Sequence, residues 1–348
     1  METFWFIALT FMLIMYVILD GFDLGAGMLH LWVGKDDRER RTLLNVIGPV
    51  WDGNEVWLIA ATGVLYFAFP KLYASSFSGF YLPLMMVMWL LMLRGIGIEF
   101  RSHIQNPMWR SFWDVVFSAA SLLLAIFFGA ALGNVVRGVP LDAEGYFFEP
   151  LWTTFTVVPQ AGILDWFTVL MGLVAMFTLA VHGANFIAMK TEDSLRLRAR
   201  AFARVATWLV LLSSVLALIA TASIHPGIWD NYFEQPWGFV FPLAGLAGLI
   251  GMVIFPIRND DLGAFLSSCS FIFGMGASTA FGLFPKLLPA STNPDFSLTT
   301  HNSAANAYGL RVGVIWWSIG IVLAGGYFTY LFYSFRGKTK TPAEGEGY

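Results

Sequence analysis

Residues 4–33 read FWFIALTFMLIMYVILDGFDLGAGMLHLWV, thirty positions whose only charged side chains are Asp20 and Asp23. A helix needs about 20 mostly apolar residues to cross ~30 Å of hydrocarbon, so this stretch is long enough to span a membrane. It does not read as a cleavable signal. No basic segment precedes it, and its apolar run exceeds the roughly 7–15 residues of a signal core.

Eight further stretches of the same kind follow, at about 45–69, 79–101, 113–135, 164–189, 201–224, 238–256, 263–284 and 309–335. The composition agrees: 57% of the 348 residues are hydrophobic and 12% are charged, against roughly 25% charge in a soluble domain. Disorder is excluded by the same apolar richness. The lone cysteine, Cys269, has no partner for a disulfide. A net charge of -3 offers no basic face to nucleic acid. The sequence therefore predicts an all-α integral membrane protein, one transmembrane domain over 1–348 built as a bundle of nine transmembrane helices.

Charge sets the expected orientation. Fourteen Lys and Arg residues, from Lys35 to Lys340, follow spans one, three, five, seven and nine, against Lys71, Arg137, Lys286 and Arg311 on the other side. Lys and Arg accumulate on the cytoplasmic side, so the N-terminus is expected outside and the C-terminus in the cytoplasm of a multi-pass cell-membrane protein. The longest connections, about 136–163 and 285–308, are expected to fold back onto the surface. Leu19-Asp20-Gly21-Phe22-Asp23 in span one is similar to Val181-His182-Gly183-Ala184-Asn185 in span five. Two parallel four-helix repeats plus one helix would explain this; so would two helix ends that meet similar loops by chance.

Seven charges stand where hydrocarbon is expected: Asp20 and Asp23, Asp52 and Glu55, Arg94 and Glu99, and Asp114. A charge at mid-span costs about 2.5–3.5 kcal/mol on insertion scales, and such residues mark ion or proton paths. The span directions bring all seven to the cytoplasmic side. Asp20/Asp23 and Asp52/Glu55 are i,i+3 pairs, each on one helix face. Acids this close in an apolar site cannot all stay ionised, which suits a proton relay, and Arg94 is the natural permanent counter-charge. The plainer reading is that some of these are ordinary headgroup-level charges. Gly21 and Gly25 allow close approach of another helix, expected to belong to a partner.

Metal chemistry has little support. Of His30, His103, His182, His225 and His301, only His182 reads as lying well inside a span, with no second His four residues away. Methionines and Cys269 read as packing residues.

The motifs then become specific. Asp20-Gly21-Phe22-Asp23-Leu24-Gly25, Gly48-Pro49-Val50-Trp51-Asp52-Gly53-Asn54-Glu55-Val56-Trp57-Leu58, Phe77-Ser78-Gly79-Phe80-Tyr81 and Arg94-Gly95-Ile96-Gly97-Ile98-Glu99-Phe100-Arg101 resemble subunit II of cytochrome bd-type quinol oxidases. Trp113-Asp114, Gly133-Asn134-Val135-Val136-Arg137-Gly138-Val139-Pro140 and Phe284-Pro285 fit as well. The resemblance implies a haem-free subunit of a complex that oxidises membrane quinol and reduces oxygen to water. It implies a subunit I that carries haems b and d, and in some members small accessory subunits. By the same resemblance Asp52, Asp23 and Glu99 serve proton supply from the cytoplasm. Trp51, Asp23, Asp52, Arg94 and Asp114 match the polar surroundings of a quinone held in some members. Two other readings stay open from the residues alone: an ion-coupled secondary transporter, and a purely structural partner subunit.

Overall fold

The computed structural model describes residues 1–339; Lys340, counted above among the cytoplasmic cations, lies outside the described residues. The chain is helical almost throughout. In chain order the helices are α1 (Glu2–Val33), α2 (Asp37–Ile47), α3 (Trp51–Ala68), α4 (Pro70–Gly79), α5 (Tyr81–Phe100) and α6 (Pro107–Arg137). They continue as α7 (Trp166–Lys190), α8 (Asp193–Ile224), the short α9 (Asp230–Glu234), α10 (Val240–Ile257), α11 (Asp261–Leu283) and α12 (Ala307–Ser334).

Among the described residues, eight helices are long and apolar enough to cross a membrane: α1, α5, α6, α7, α8, α10 with the turn before it, α11 and α12. The second expected span, 45–69, is the exception. It breaks at Gly48-Pro49-Val50, because proline cannot donate into a helix and restricts the residue before it. What remains is α3, 18 residues or about 27 Å at 1.5 Å per residue, opened by the polar Asp52, Asn54 and Glu55.

Two helices start earlier than hydropathy indicated. α6 begins at Pro107 because Asn106 caps it, accepting from the Met108 N–H, and proline suits the first helical position. α8 begins at Asp193 and carries a basic first stretch through Arg200, which an apolar window cannot see.

The packing recurs in two halves. α1 packs on α3 and α6, as α7 packs on α8 and α11; α5 packs on α6 as α10 packs on α11. Across the halves α1 meets α7 and α11, and α7 meets α6. The similar segments of α1 and α7 lie against one another. A Cβ on Gly25 would fall 2.1 Å from the Leu179 carbonyl oxygen and 2.7 Å from Gly183 Cα. The close approach expected at Gly21 and Gly25 is thus made by α7 of the same chain, not by a partner. α12 stands apart: Leu310 and Leu331 are its only buried residues.

One end of the bundle is laced by ions. Arg198 pairs with Glu39, and Arg196 and Arg200 pair with Asp261 at 2.7 and 2.5 Å. The other end is capped by the two long connections. Lys286–Leu288 (β1) and Leu298–Thr299 (β2) form a small antiparallel pair within the second connection of this all-α fold. The two connections are joined where Val139 N donates to Pro289 O at 3.0 Å and Ser291 N donates to Val139 O at 2.9 Å.

Candidate functional site

Where α1, α3 and α5 approach, Arg94 crosses to grip Asp20 with both ends of its guanidinium, Nη2 to Oδ1 at 2.5 Å and Nη1 to Oδ2 at 2.9 Å. Both side chains are fully buried. Arg94, Gly97 and Ile98 are the only buried residues of α5, so this bidentate pair is the helix's main polar anchor. Nη1 also reaches Glu55 Oε1 at 3.4 Å, and Glu55 keeps 23% of its side chain exposed. Asp23, three residues beyond Asp20, accepts from Asn54 Nδ2 at 2.8 Å, and the same amide donates to Leu19 O at 3.2 Å.

Burial rises step by step along this group. Asp52 is exposed at the start of α3, Glu55 one turn further is half-buried, and Asp20, Asp23 and Asn54 are fully buried. Several polar atoms here are buried without a partner: Asp23 Oδ1, Asn54 Oδ1, Arg94 Nε, and the indole N–H groups of Trp51 and Trp57.

The expected single cluster is in fact two. Asp114, at the start of α6, accepts from Arg101 Nε at 2.5 Å and Arg40 Nη1 at 3.1 Å, and meets His30 Nε2 at 2.6 Å. Asp37 extends this knot to Arg101 and Arg110, both at 2.9 Å. Asp114 is therefore held by Arg40, Arg101 and His30, and among the described residues no side-chain bond links it to Asp20, Asp23 or Glu55. His30 was overlooked in the sequence, where only His182 read as lying inside a span; it is fully buried on α1. The available signal was its position seven residues after Asp23, on the same helix face. Glu99 is exposed, and neither cluster includes its carboxylate among the described residues.

A third group lies at the opposite end, where α6 ends and the following connection leads to α7. Arg137 donates to Asp165 Oδ2 at 2.5 Å, Glu149 Oε1 at 2.6 Å and Asn134 Oδ1 at 2.7 Å. All four are buried, and Glu149 Oε2 has no partner. Burial pushes the Glu149 carboxyl up to about 7; Arg137 opposes the rise and Asp165 adds to it. Glu149 sits in an irregular connection with no periodicity, so nothing in the sequence pairs it with Arg137 and Asp165.

His182 is a packed interior residue. Its ring nitrogens meet Ser268 Oγ at 2.7 Å and Ile18 O at 2.8 Å, and its ring stacks on Phe265. Among the described residues no group of three or more His, Cys, Asp or Glu side chains is arranged to hold a metal ion.

A helical membrane subunit with a buried carboxylate–guanidinium cluster at one end is the class these features define. The profile of the family described as cytochrome bd terminal oxidase subunit II matches residues 1–335. The chain belongs to that family. It is 33% identical to the "Probable cytochrome oxidase subunit 2" of Haemophilus influenzae, over 93% of this chain and 91% of that one. It is 31% identical to the "Cytochrome bd-I ubiquinol oxidase subunit 2" of Escherichia coli, over 91% and 89%. The bd oxidase structure from Geobacillus thermodenitrificans superimposes with a TM-score of 0.75, covering 96% of this chain and 98% of that chain at 19% identity. That likeness shows the shared fold. The chain is thus a multi-pass membrane component of a quinol oxidase complex of the respiratory chain, and subunit II implies a subunit I.

Proposed function

We propose that this haem-free subunit supports assembly of the oxidase and supplies protons from the cytoplasm to it, while subunit I holds haems b and d. The observation that carries the reading is Glu55: a carboxylate in a membrane-buried helix, 23% exposed and 3.4 Å from Arg94. Lipid is a poor neighbour for such a group, so the face that bears it is the face subunit I covers. Asp52 forms the mouth of the route, Glu55 the handover point, and Asp20 and Asp23 the buried reservoir. Asp20 and Glu55 share the Arg94 guanidinium while Asp23 is held by the neutral Asn54 amide, so three carboxyls stand with one cation, which leaves a place for a proton. Reduction of oxygen to water consumes protons, and the basic end is the side from which they come. Glu99, expected on the same route, is exposed and would act, if at all, at its surface and not in the buried part.

A quinone held here fits only part of the expected residue set. Trp51 Nε1, Trp57 Nε1 and Asp23 Oδ1 are buried polar atoms with no partner, and the two indole N–H groups are suitable donors to a quinone carbonyl. An apolar cleft of about 480 Å³ between α1, α3 and α12, lined by Met12, Ala60, Val64 and Trp316, suits an isoprenoid chain. Asp114 is sequestered by its cations and would not take part. A bound quinone would supply bulk between the helices and an acceptor for those N–H groups.

Oriented vesicles containing the complex test the route. During turnover, protons should disappear from the compartment facing the basic end. Asp52→Asn should slow that uptake, and Asp52→Glu should keep part of it. Uptake from the opposite side would reject both the orientation and the route.

A further inference from the structure

At the basic end the C-terminal segment crosses the end of α7. Thr339 N donates to Lys190 O at 2.7 Å, and Lys338 Nζ donates to Ala188 O at 3.2 Å and Thr191 O at 2.8 Å. Lys190 Nζ donates back to Phe335 O. These bonds use carbonyls that the last turn of a helix leaves without intrahelical partners. The crossing roofs a cavity of about 680 Å³. Its deep wall is apolar, with Val46, Val50, Phe186 and Phe332, and its rim carries Lys190, Arg336 and Lys338. Among the described residues no acidic side chain lines it.

Among the described residues these bonds leave donors over at this rim. An ammonium has three donors; Lys338 uses two on carbonyls and Lys190 one, and neutral carbonyls cancel no charge. Arg336 lies over the Tyr333 ring, 3.9 Å from its centroid. Asp261, one of the acids whose charge reaches Lys338, is already paired with Arg196 and Arg200. Burial, with Arg196, presses the Lys338 ammonium below its ordinary range, although Asp261 and Glu192 pull the other way.

We infer that this cavity binds an anionic membrane phospholipid, its phosphate on Arg336 and Lys338 and the upper part of its chains against Val46, Phe186 and Phe332. The pairing of an apolar interior with a cationic rim at the helix ends selects this occupant. Basic pockets between transmembrane helices favour anionic headgroups, and a free phosphate would leave the apolar wall uncovered.

The test uses the purified oxidase complex in mild detergent, titrated with phosphatidylglycerol or with phosphatidylcholine of the same chains and read by native mass spectrometry. The wild type should retain phosphatidylglycerol preferentially. The double variant Arg336→Gln/Lys338→Gln should hold it about 30-fold more weakly and lose the preference. If that variant lowers recovery of the complex, Arg336→Glu, at an exposed position, should still abolish the preference. Equal retention by wild type and variant, equal binding of phosphatidylcholine, or displacement of the lipid by millimolar inorganic phosphate would each overturn the inference. So would binding that begins only after removal of residues 340–348, which would make the acidic tail the occupant.

Discussion

Arg94 is the residue on which the buried cluster depends. Replacing it with leucine would leave Asp20 buried and unpaired, and breaking a buried pair in this way costs on the order of 3–5 kcal/mol. Arg94→Leu should sharply reduce the amount and melting temperature of the assembled complex. Arg94→Lys should recover only part, because an ammonium cannot reproduce the bidentate grip on Asp20. Thermal unfolding of the purified complex checks both, and a leucine variant of normal stability would mean the pair is dispensable. Glu149 gives a second prediction, with a sign. Its folded value of about 7 lies above the ordinary 4.5, so folding favours the protonated carboxyl. That contribution is full below about pH 4.5, declines as pH rises, and is gone above about 7; the shift corresponds to about 3 kcal/mol. Glu149→Gln keeps the neutral form at every pH. The wild-type melting temperature should therefore fall between pH 4.5 and 7 more steeply than that of the variant, whereas parallel profiles would show that Glu149 stays ionised beside Arg137.

Among the elements, the crossing of α1 and α7 is one of the tightest joints in the fold. Gly25→Val would drive a branched side chain into the backbone of Leu179 and Gly183, and no rotamer change can relieve a backbone clash. Overpacking of this kind costs typically 1–3 kcal/mol or more. The variant chain should become protease-sensitive even without subunit I, as limited proteolysis of the separately produced chain would show. Resistance equal to the wild type would argue that the two helices can part without loss. The same joint illustrates what the sequence makes legible. Gly21 and Gly25 announce that some helix comes close, but helix identity depends on the whole packing arrangement, and the partner is α7. The spans are legible because twenty apolar residues are a one-dimensional signal. The break at Pro49 is equally local, yet its consequence is a helix that starts only at Trp51 and carries polar residues in its first turns. Asp20, Asp23, Glu55 and Arg94 were legible as misplaced charges on three helices. The separate enclosure of Asp114 was not, because Arg40, Arg101 and His30 reach it from elements far apart in sequence.

For the molecule as a whole, the two ends do different work. The two long connections are tied to one another and to Arg137 as a cap, while the basic end carries the exposed Asp52 and the half-buried Glu55 that lead inward to Asp20 and Asp23. Between them the two halves repeat one packing scheme, and α12 stands at the edge with its apolar surface unclaimed by this chain. A subunit seated against α3 and α5 would cover Glu55 and turn a surface notch into an internal path. The central claim is therefore that Glu55 passes protons to the oxidase. It is tested most directly by oxygen consumption with saturating quinol, normalised to haem in the purified complex, for Glu55→Gln and Glu55→Asp. Glutamine preserves shape and the reach toward Arg94 but cannot exchange a proton, so turnover should fall by about 100-fold or more, with aspartate retaining a measurable part. A glutamine variant with full haem content and wild-type turnover from pH 6 to 8 would contradict the account.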